Sequence, residues 1–256
     1  MTPDDAIDAA SASALIEELY GEPLGRMQGV LHVVACFLDG GMLSVLRIGD
    51  QAPRSAHDFF ALELARARCD AILTTGAILR AEPELRCGLR SAGLRAWRRD
   101  VLGVASEARV LVLTTWRNFP LDHPMLAAAG EGVIVLAPAG AGLRLPSHVE
   151  LVTEDAPTPR SAIALLIARG ARGVSVEAGP SVARGLYDPP AVDELMLSVF
   201  EGEVVPEARG PRLLRPEFLD RNFVCVARAA RGEPSGRWTF SRWLSRDRRG
   251  SAAGSR

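Results

Sequence analysis

The sequence predicts an α/β fold: a mixed, mostly parallel sheet with helices on both faces and an antiparallel hairpin at its C-terminal end. Two observations carry that prediction. Short apolar runs such as Gly29-Val-Leu-His-Val-Val-Ala35 alternate with segments of helical periodicity, the pattern of strands covered on both faces. Beyond residue 220 the pattern changes to two strand-like runs joined by the polar turn Arg231-Gly-Glu-Pro-Ser-Gly236.

Residues 3–20 read as one helix, with Pro3 near its start, Asp4 and Asp5 in the first turn and Leu15, Ile16 and Leu19 as its apolar stripe. The strand opening at Gly29 ends in the turn Leu38-Asp39-Gly40-Gly41. Ser55 is placed to cap a helix running to about Arg68, with Phe59, Phe60, Leu62 and Leu64 as its apolar positions. Residues 71–75 form the next strand, with Gly76 at its exit. Further strands are expected at 109–114, 132–137 and near 149–152, and a helix at 158–169 precedes a strand at 173–177. A short helix and a strand led by Asp193-Glu194 follow, and 222–229 and 237–243 make the hairpin. The tail from Ser245, rich in Arg, Ser and Gly, has no large apolar residue to order it. The organisation expected is an N-terminal helical extension over 1–18, one domain over 19–244 and a disordered tail over 245–256.

A chain of 256 residues with 48% hydrophobic residues can bury a sizeable core, and its net charge of −1 gives no electrostatic ground for binding nucleic acid or an anionic membrane surface. All 30 basic residues are Arg, which excludes lysine Schiff-base chemistry. Cys36, Cys69, Cys87 and Cys225 have no metal-ligand or disulfide spacing, so no metal and reduced thiols are expected. His32, His57, His123 and His148 likewise form no ligand set, and His32 reads as a core histidine. The acidic N-terminus lacks a signal-peptide pattern, and no apolar run approaches the roughly 20 residues of a membrane span. A cytoplasmic location is expected.

The most informative stretch is Val174-Ser-Val-Glu-Ala-Gly-Pro-Ser-Val182, followed by Val192-Asp-Glu-Leu-Met-Leu-Ser198. A strand runs into a turn of small residues and then into a helix N-terminus, where outward-facing N–H groups suit an anion such as a pyrophosphate. Gly140-Ala-Gly142 lacks the third glycine of a dinucleotide fingerprint, and Pro138 and Pro146 leave little room for its helix. Thr114, Thr115 and Arg117 stand at the end of the strand 109–114, where a guanidinium can pair with a phosphate. A solvated strand end with an incidental Arg explains them equally well.

Together these segments resemble the riboflavin-biosynthesis pyrimidine reductases, the RibD C-terminal domain type with a dihydrofolate-reductase-like fold, and in particular its single-domain, actinobacterial-like branch. The resemblance rests on Glu177-Ala-Gly-Pro180 with Val192-Asp-Glu-Leu195, Asp39-Gly40, Gly76-Ala77 with Ala81-Glu-Pro83, and Pro120-Leu-Asp-His-Pro124, and it spans roughly residues 19–243. No zinc-deaminase pattern accompanies it. The resemblance implies an NADPH-dependent reductase that transfers hydride to a phosphoribosylamino-pyrimidine. It places Gly76, Ala77, Thr115, Arg117, Ala178, Gly179, Pro180 and Ser181 at the cofactor. Asp39 and Glu177 become the catalytic polar groups, and Asp39, Glu82 and Arg86 lie on the substrate side.

Four positions depart from the family pattern: Phe37 for Ser, Gly41 for Lys, Leu79 for Thr and Ala178 for Gly. They leave open a degenerate paralogue that binds nucleotide weakly or not at all and lacks reductase activity. A reductase of another small carbonyl or imine compound is a third reading. The resemblance also implies a homodimer, and the terminal strands bearing Trp238, Phe240 and Trp243 offer an apolar edge for it.

Overall fold

The computed structural model describes residues 2–47, 49–127 and 132–247. In chain order the elements are α1 (Ala9–Tyr20), β1 (Gly29–Asp39), β2 (Met42–Leu46), α2 (Ala56–Arg68), β3 (Ala71–Thr75), α3 (Gly76–Ala81), α4 (Ala92–Asp100) and β4 (Arg109–Leu113). There follow α5 (Pro124–Ala127), β5 (Val133–Pro138), β6 (Glu150–Glu154), α6 (Pro159–Ala168), β7 (Gly173–Val176) and α7 (Pro180–Arg184). The chain closes with β8 (Glu194–Phe200), β9 (Arg209–Leu214), α8 (Pro216–Asn222), β10 (Phe223–Glu233) and β11 (Gly236–Ser245).

The strands form one sheet in the order β10-β11-β8-β1-β7-β3-β4-β5-β6, with β2 and β9 branching from β1. From β8 to β6 every neighbouring pair is parallel, while β11 runs antiparallel to β8 and β10 to β11. Alternate residues of each strand feed opposite faces. Leu31, Val33 and Phe37 of β1 join α1, α2 and α4 in one core, while Val30 and Cys36 join α6 and α7 in another. A third cluster on the α3 and α5 side takes Ile72, Val110, Val112 and Val135. This is the α/β architecture expected, with helices on both faces and a C-terminal hairpin.

The N-terminal helix differs from expectation. Pro3–Asp5 make only a 3-10 turn, and α1 begins at Ala9 because the Asp8 carboxylate accepts the Ser11 N–H at 2.8 Å and caps it there. The stripe of Leu15, Ile16 and Leu19 lies fully buried in the core with α2 and α4.

The β1–β2 hairpin is a second difference. β1 continues past Ala35 to Asp39, and Gly40 and Gly41, both at positive φ, make a two-residue turn that pairs Asp39 with Met42. Only glycine takes both positions without strain, which gives Gly41 a backbone reason to be there. Of the expected tail, Ser245 ends β11, and residues 248–256 lie outside the described residues. Among the described residues no helix is long and apolar enough to cross a membrane.

Two carboxylates of the Asp193-Glu194 pair tie the sheet together. Asp193 accepts the Val30 N–H at 2.7 Å and packs on Gly29, where a Cβ would collide with it. Glu194 is buried between the guanidinium groups of Arg68 and Arg242, and Arg242 reaches on to Glu22. That part of the sequence signature therefore does structural work, joining β8 to α2, β1 and β11.

Candidate active site

Beyond the carboxyl end of β7, α2, β2, the segment after α3 and the turn after β7 enclose a cleft of about 460 Å³ against the middle of β1. Its apolar walls come from Val33 and Ala35 of β1, Leu62 of α2 and Ile78 of α3. Charged groups converge on it from several elements: Asp58 and Arg66 on α2, Glu82 and Arg86 after α3, Arg90, and Glu177 after β7.

Glu177 extends the β7–β3 ladder, its N–H donating to the Leu73 carbonyl at 2.8 Å. That register aims its carboxylate at α2, where Arg66 donates from Nε to Oε1 at 2.8 Å and from Nη2 to Oε2 at 2.6 Å. Both side chains are nearly buried, and the remaining guanidinium nitrogen Nη1 donates to the Arg86 carbonyl at 3.2 Å. The pair forms the floor of the cleft and anchors the segment after α3. Burial alone lowers the basicity of Arg66, but the facing Glu177 carboxylate outweighs it and holds the guanidinium well above its usual range. At the mouth, the exposed Arg90 lies over the Phe59 ring at 5.8 Å.

Asp58 sits in the first turn of α2, capped through its N–H by Ser55 Oγ at 3.0 Å. Burial raises its carboxyl to about 6, opposed by a hydrogen bond from Ser198 and reinforced by the negative charge of Glu233. Glu82 is also raised, by burial first, with Arg66 working against that shift.

Of the residues singled out from the sequence, the cleft brings together Glu82, Arg86, Glu177, Ala178 and Gly179. Asp39 does not line it, standing half-exposed at the hairpin turn. Pro180 and the exposed Ser181 open α7 just behind the lining turn. Gly76 is buried at the start of α3, where a Cβ would come within 2.8 Å of Thr114 Oγ1, so its glycine serves close packing; Ala77 beside it is exposed. Thr115 and Arg117 lie exposed beyond β4, in a loop where Trp116 and Asn118 both take positive φ and Thr114 Oγ1 accepts the Trp116 N–H at 3.0 Å.

Sequence reasoning missed Asp58 and Arg66. Neither residue is singled out on the helix read from Ser55 to about Arg68. The available signal was the stripe Phe59-Leu62-Arg66 at i, i+3 and i+7, which puts a cation on an apolar helix face.

This arrangement is that of a dihydrofolate-reductase-like α/β domain with a mainly apolar cleft, carrying a few charged groups, beyond the carboxyl end of β7. The solved structures it is similar to include RibD of Acinetobacter baumannii, at 17% identity and a TM-score of 0.61 over 86% of this chain and 58% of that one. A pyrimidine reductase-like protein from Corynebacterium diphtheriae matches at 18% identity and a TM-score of 0.56, over 90% and 94% of the two chains. The riboflavin biosynthesis reductase Rib7 of Saccharomyces cerevisiae matches at 17% identity and a TM-score of 0.51, over 90% and 98%. The chain thus spans less than two thirds of the A. baumannii protein and nearly all of the other two. At these identities the likeness establishes the shared fold. Neither a family model nor a curated protein matches the sequence.

Proposed function

We propose that this chain is an NADPH-dependent reductase of the riboflavin-biosynthesis pyrimidine reductase family, acting on a phosphoribosylamino-pyrimidine or a related small carbonyl or imine compound. One observation carries the reading. The buried Arg66–Glu177 pair closes the floor of a mainly apolar cleft ringed by charged groups beyond the carboxyl end of β7, the side on which ligands bind in open α/β sheets. The structures sharing this fold include RibD, a pyrimidine reductase-like protein and a riboflavin biosynthesis reductase, which supports it.

The residues present fit a nicotinamide cofactor at two places. Ala178 and Gly179 line the cleft, and nothing lies within 4 Å of where a Cβ on Gly179 would stand, so backbone there is open to a ligand. Thr115 and Arg117 are exposed beyond the neighbouring strand β4, where a guanidinium suits a 2′-phosphate. When bound, the cofactor supplies a hydride. The chain's own part is to orient and balance charge. Glu177, with both oxygens held by Arg66, is a fixed acceptor at the floor, and Arg86 and Arg90 are the cations available to an anionic substrate group.

The departures from the family pattern bear less on this cleft than the sequence alone implies. Phe37 and Leu79 are buried in the core, and Gly41 forms the hairpin turn; of the four, Ala178 lines the cleft. That placement favours a working reductase over a degenerate paralogue.

Fluorescence titration with NADPH and NADH tests the reading, alongside turnover of the phosphoribosylamino-pyrimidine. NADPH is expected to bind roughly ten- to a hundredfold tighter than NADH, a difference of about 1.5–3 kcal/mol for one charge-assisted pair. Absence of binding at millimolar levels rejects the reductase, and binding without turnover of any carbonyl or imine substrate favours the degenerate paralogue.

A further inference from the structure

We infer that the substrate reduced in this cleft is a phosphate-free carbonyl or imine compound with an apolar body, not a phosphoribosylated pyrimidine. The inference rests on the reductase reading and decides between the two substrate classes that reading allows.

The walls of the cleft carry it. Val34 and Ala35 of β1, Val45 of β2, Leu62 of α2, Ile78 of α3 and Leu85 after α3 all line the same space. Each is half-buried and so keeps part of its apolar surface uncovered. Side chains from four elements and a connecting segment thus converge on one space, and water meets their apolar surface until a ligand covers it. At the mouth Phe59 adds an aromatic ring that is 42% exposed. The volume of about 460 Å³ suits one small ligand, for which pockets run to roughly 300–1,000 Å³.

The charged groups argue against a phosphate. The carboxylates of Asp58, Glu82, Glu84 and Glu177 line the cleft, against the guanidinium groups of Arg66, Arg86 and Arg90. Arg66, the buried one of the three cations, is committed to both oxygens of Glu177 and to the Arg86 carbonyl. Arg86 and Arg90 are exposed at the rim, which they share with the exposed Glu84. A phosphate would bring about two more negative charges to a cleft whose carboxylates already outnumber its guanidinium groups, with no uncommitted buried cation to receive it. An apolar body needs only the walls. The rim arginines can still meet a carboxylate on the solvent-facing end of the substrate. In the reduction, the substrate carbon accepts a hydride from the bound dihydronicotinamide, which becomes the nicotinamide cation. The heteroatom takes the π electron pair and one proton from water.

The test offers the NADPH-loaded protein propanal, butanal and hexanal beside the phosphoribosylamino-pyrimidine, and follows NADPH oxidation. kcat/KM is expected to rise about fourfold with each added methylene, and hexanal to exceed the phosphorylated substrate at least about tenfold. Calorimetry reads binding without turnover: 1-hexanol should bind at millimolar levels and ribose 5-phosphate should not. Val45→Asp, which sets a charge in the wall, should lose at least about tenfold in kcat/KM for hexanal while binding NADPH within about twofold of wild type. Leu62→Ala, which widens the cleft, should move the preference to longer aldehydes such as octanal, a change that a folding defect does not produce. A flat response to chain length overturns the inference, as does an unshifted preference in Leu62→Ala or unaltered hexanal turnover in Val45→Asp. A phosphorylated substrate turned over at least as well as hexanal overturns it too, and leaves the reductase reading standing. NADPH binding with neither class turned over favours the degenerate paralogue, and the 1-hexanol and ribose 5-phosphate titrations then decide which class the cleft accepts. Failure of wild type to bind NADPH rejects the reductase reading and the inference with it.

Discussion

Arg66 and Glu177 meet through two hydrogen bonds, at 2.8 and 2.6 Å, although 111 residues separate them in the chain. One side chain comes from the last turn of α2 and the other from the turn after β7, so the pair fixes the distance between the helix and the carboxyl end of β7. Both side chains are less than a tenth exposed, which removes most solvent screening.

Breaking that pair should be expensive on one side and partly recoverable on both. Arg66→Met leaves Glu177 buried without its cation, and urea unfolding should show a loss of about 3–5 kcal/mol. Adding Glu177→Gln should restore part of this, since the orphaned charge is then gone. A single-mutant loss under about 1 kcal/mol would mean that cleft water screens the pair.

Glu194 predicts the response to acid. Burial opposes its charge, but Arg68 and Arg242 hold it at about 2, below the ordinary glutamate value. For a carboxyl depressed in the folded state, the stabilisation is fully present above the unfolded pKa of about 4.3. It disappears as pH falls through the folded value. Wild type should therefore lose about 3 kcal/mol between roughly pH 5 and pH 2 from this group. Glu194→Gln should be destabilised at pH 7 and show a flatter acid limb; an unchanged acid limb would assign acid unfolding to other carboxylates.

Much of the sheet was legible because its strands are buried on both faces and read as unbroken apolar runs bounded by turns. The helix at Ser55 was legible from its cap, and the hairpin from its polar turn. What escaped had local causes. A two-residue side-chain cap at Asp8 outweighed the acidic first turn expected at Asp4 and Asp5, and β2 is only five residues long with no turn signal after it. The candidate site was half legible. Glu177, Glu82 and Arg86 belong to recognisable segments, whereas the helical stripe Phe59-Leu62-Arg66 hints at a buried cation but its partner Glu177 is found only when α2 is laid over β1 and β7.

Gly93 tests how firmly the N-terminal segment belongs to the domain. It lies on α4 directly against the Ala6 carbonyl, and a Cβ there would collide with that backbone oxygen. Gly93→Ala must move α4 off the segment that also buries Ala6, Ala12 and Trp97. Thermal or urea unfolding should show a loss of about 1–3 kcal/mol, typical of overpacking. Wild-type stability would show that residues before α1 shift freely.

Gly179 separates a backbone contact to cofactor from a turn requirement. Its φ of −60° is ordinary for any residue, and open space surrounds its Cα, so Gly179→Val should fold with stability within about 0.5 kcal/mol of wild type. If a pyrophosphate lies against this backbone, the added methyl groups should weaken NADPH binding at least about tenfold. Normal binding by the folded variant would move the cofactor away from the turn after β7.

The oligomeric state turns on the edge of the sheet, where the structure changes the reason for expecting a dimer. Trp238, Phe240 and Trp243 are 1%, 0% and 7% exposed and pack within the chain, so they cannot supply the apolar contact first expected of them. What remains is β10 itself, an eleven-residue strand that among the described residues pairs on one side, with β11. The opposite edge, β6, has five residues and carries Glu150 and Glu154 at its ends, features that discourage strand addition. β10 has no acidic residue before Glu233, and Val224, Cys225 and Val226 along it are half-buried. We propose that two copies pair their β10 edges about a two-fold axis, each satisfying the other's free N–H and C=O groups. Light scattering at micromolar concentration should give the mass of two chains. Val226→Lys, placing a charge on that edge, should reduce it to one. A single-chain mass for wild type rejects the dimer, and a dimer that survives Val226→Lys rejects this edge as its interface.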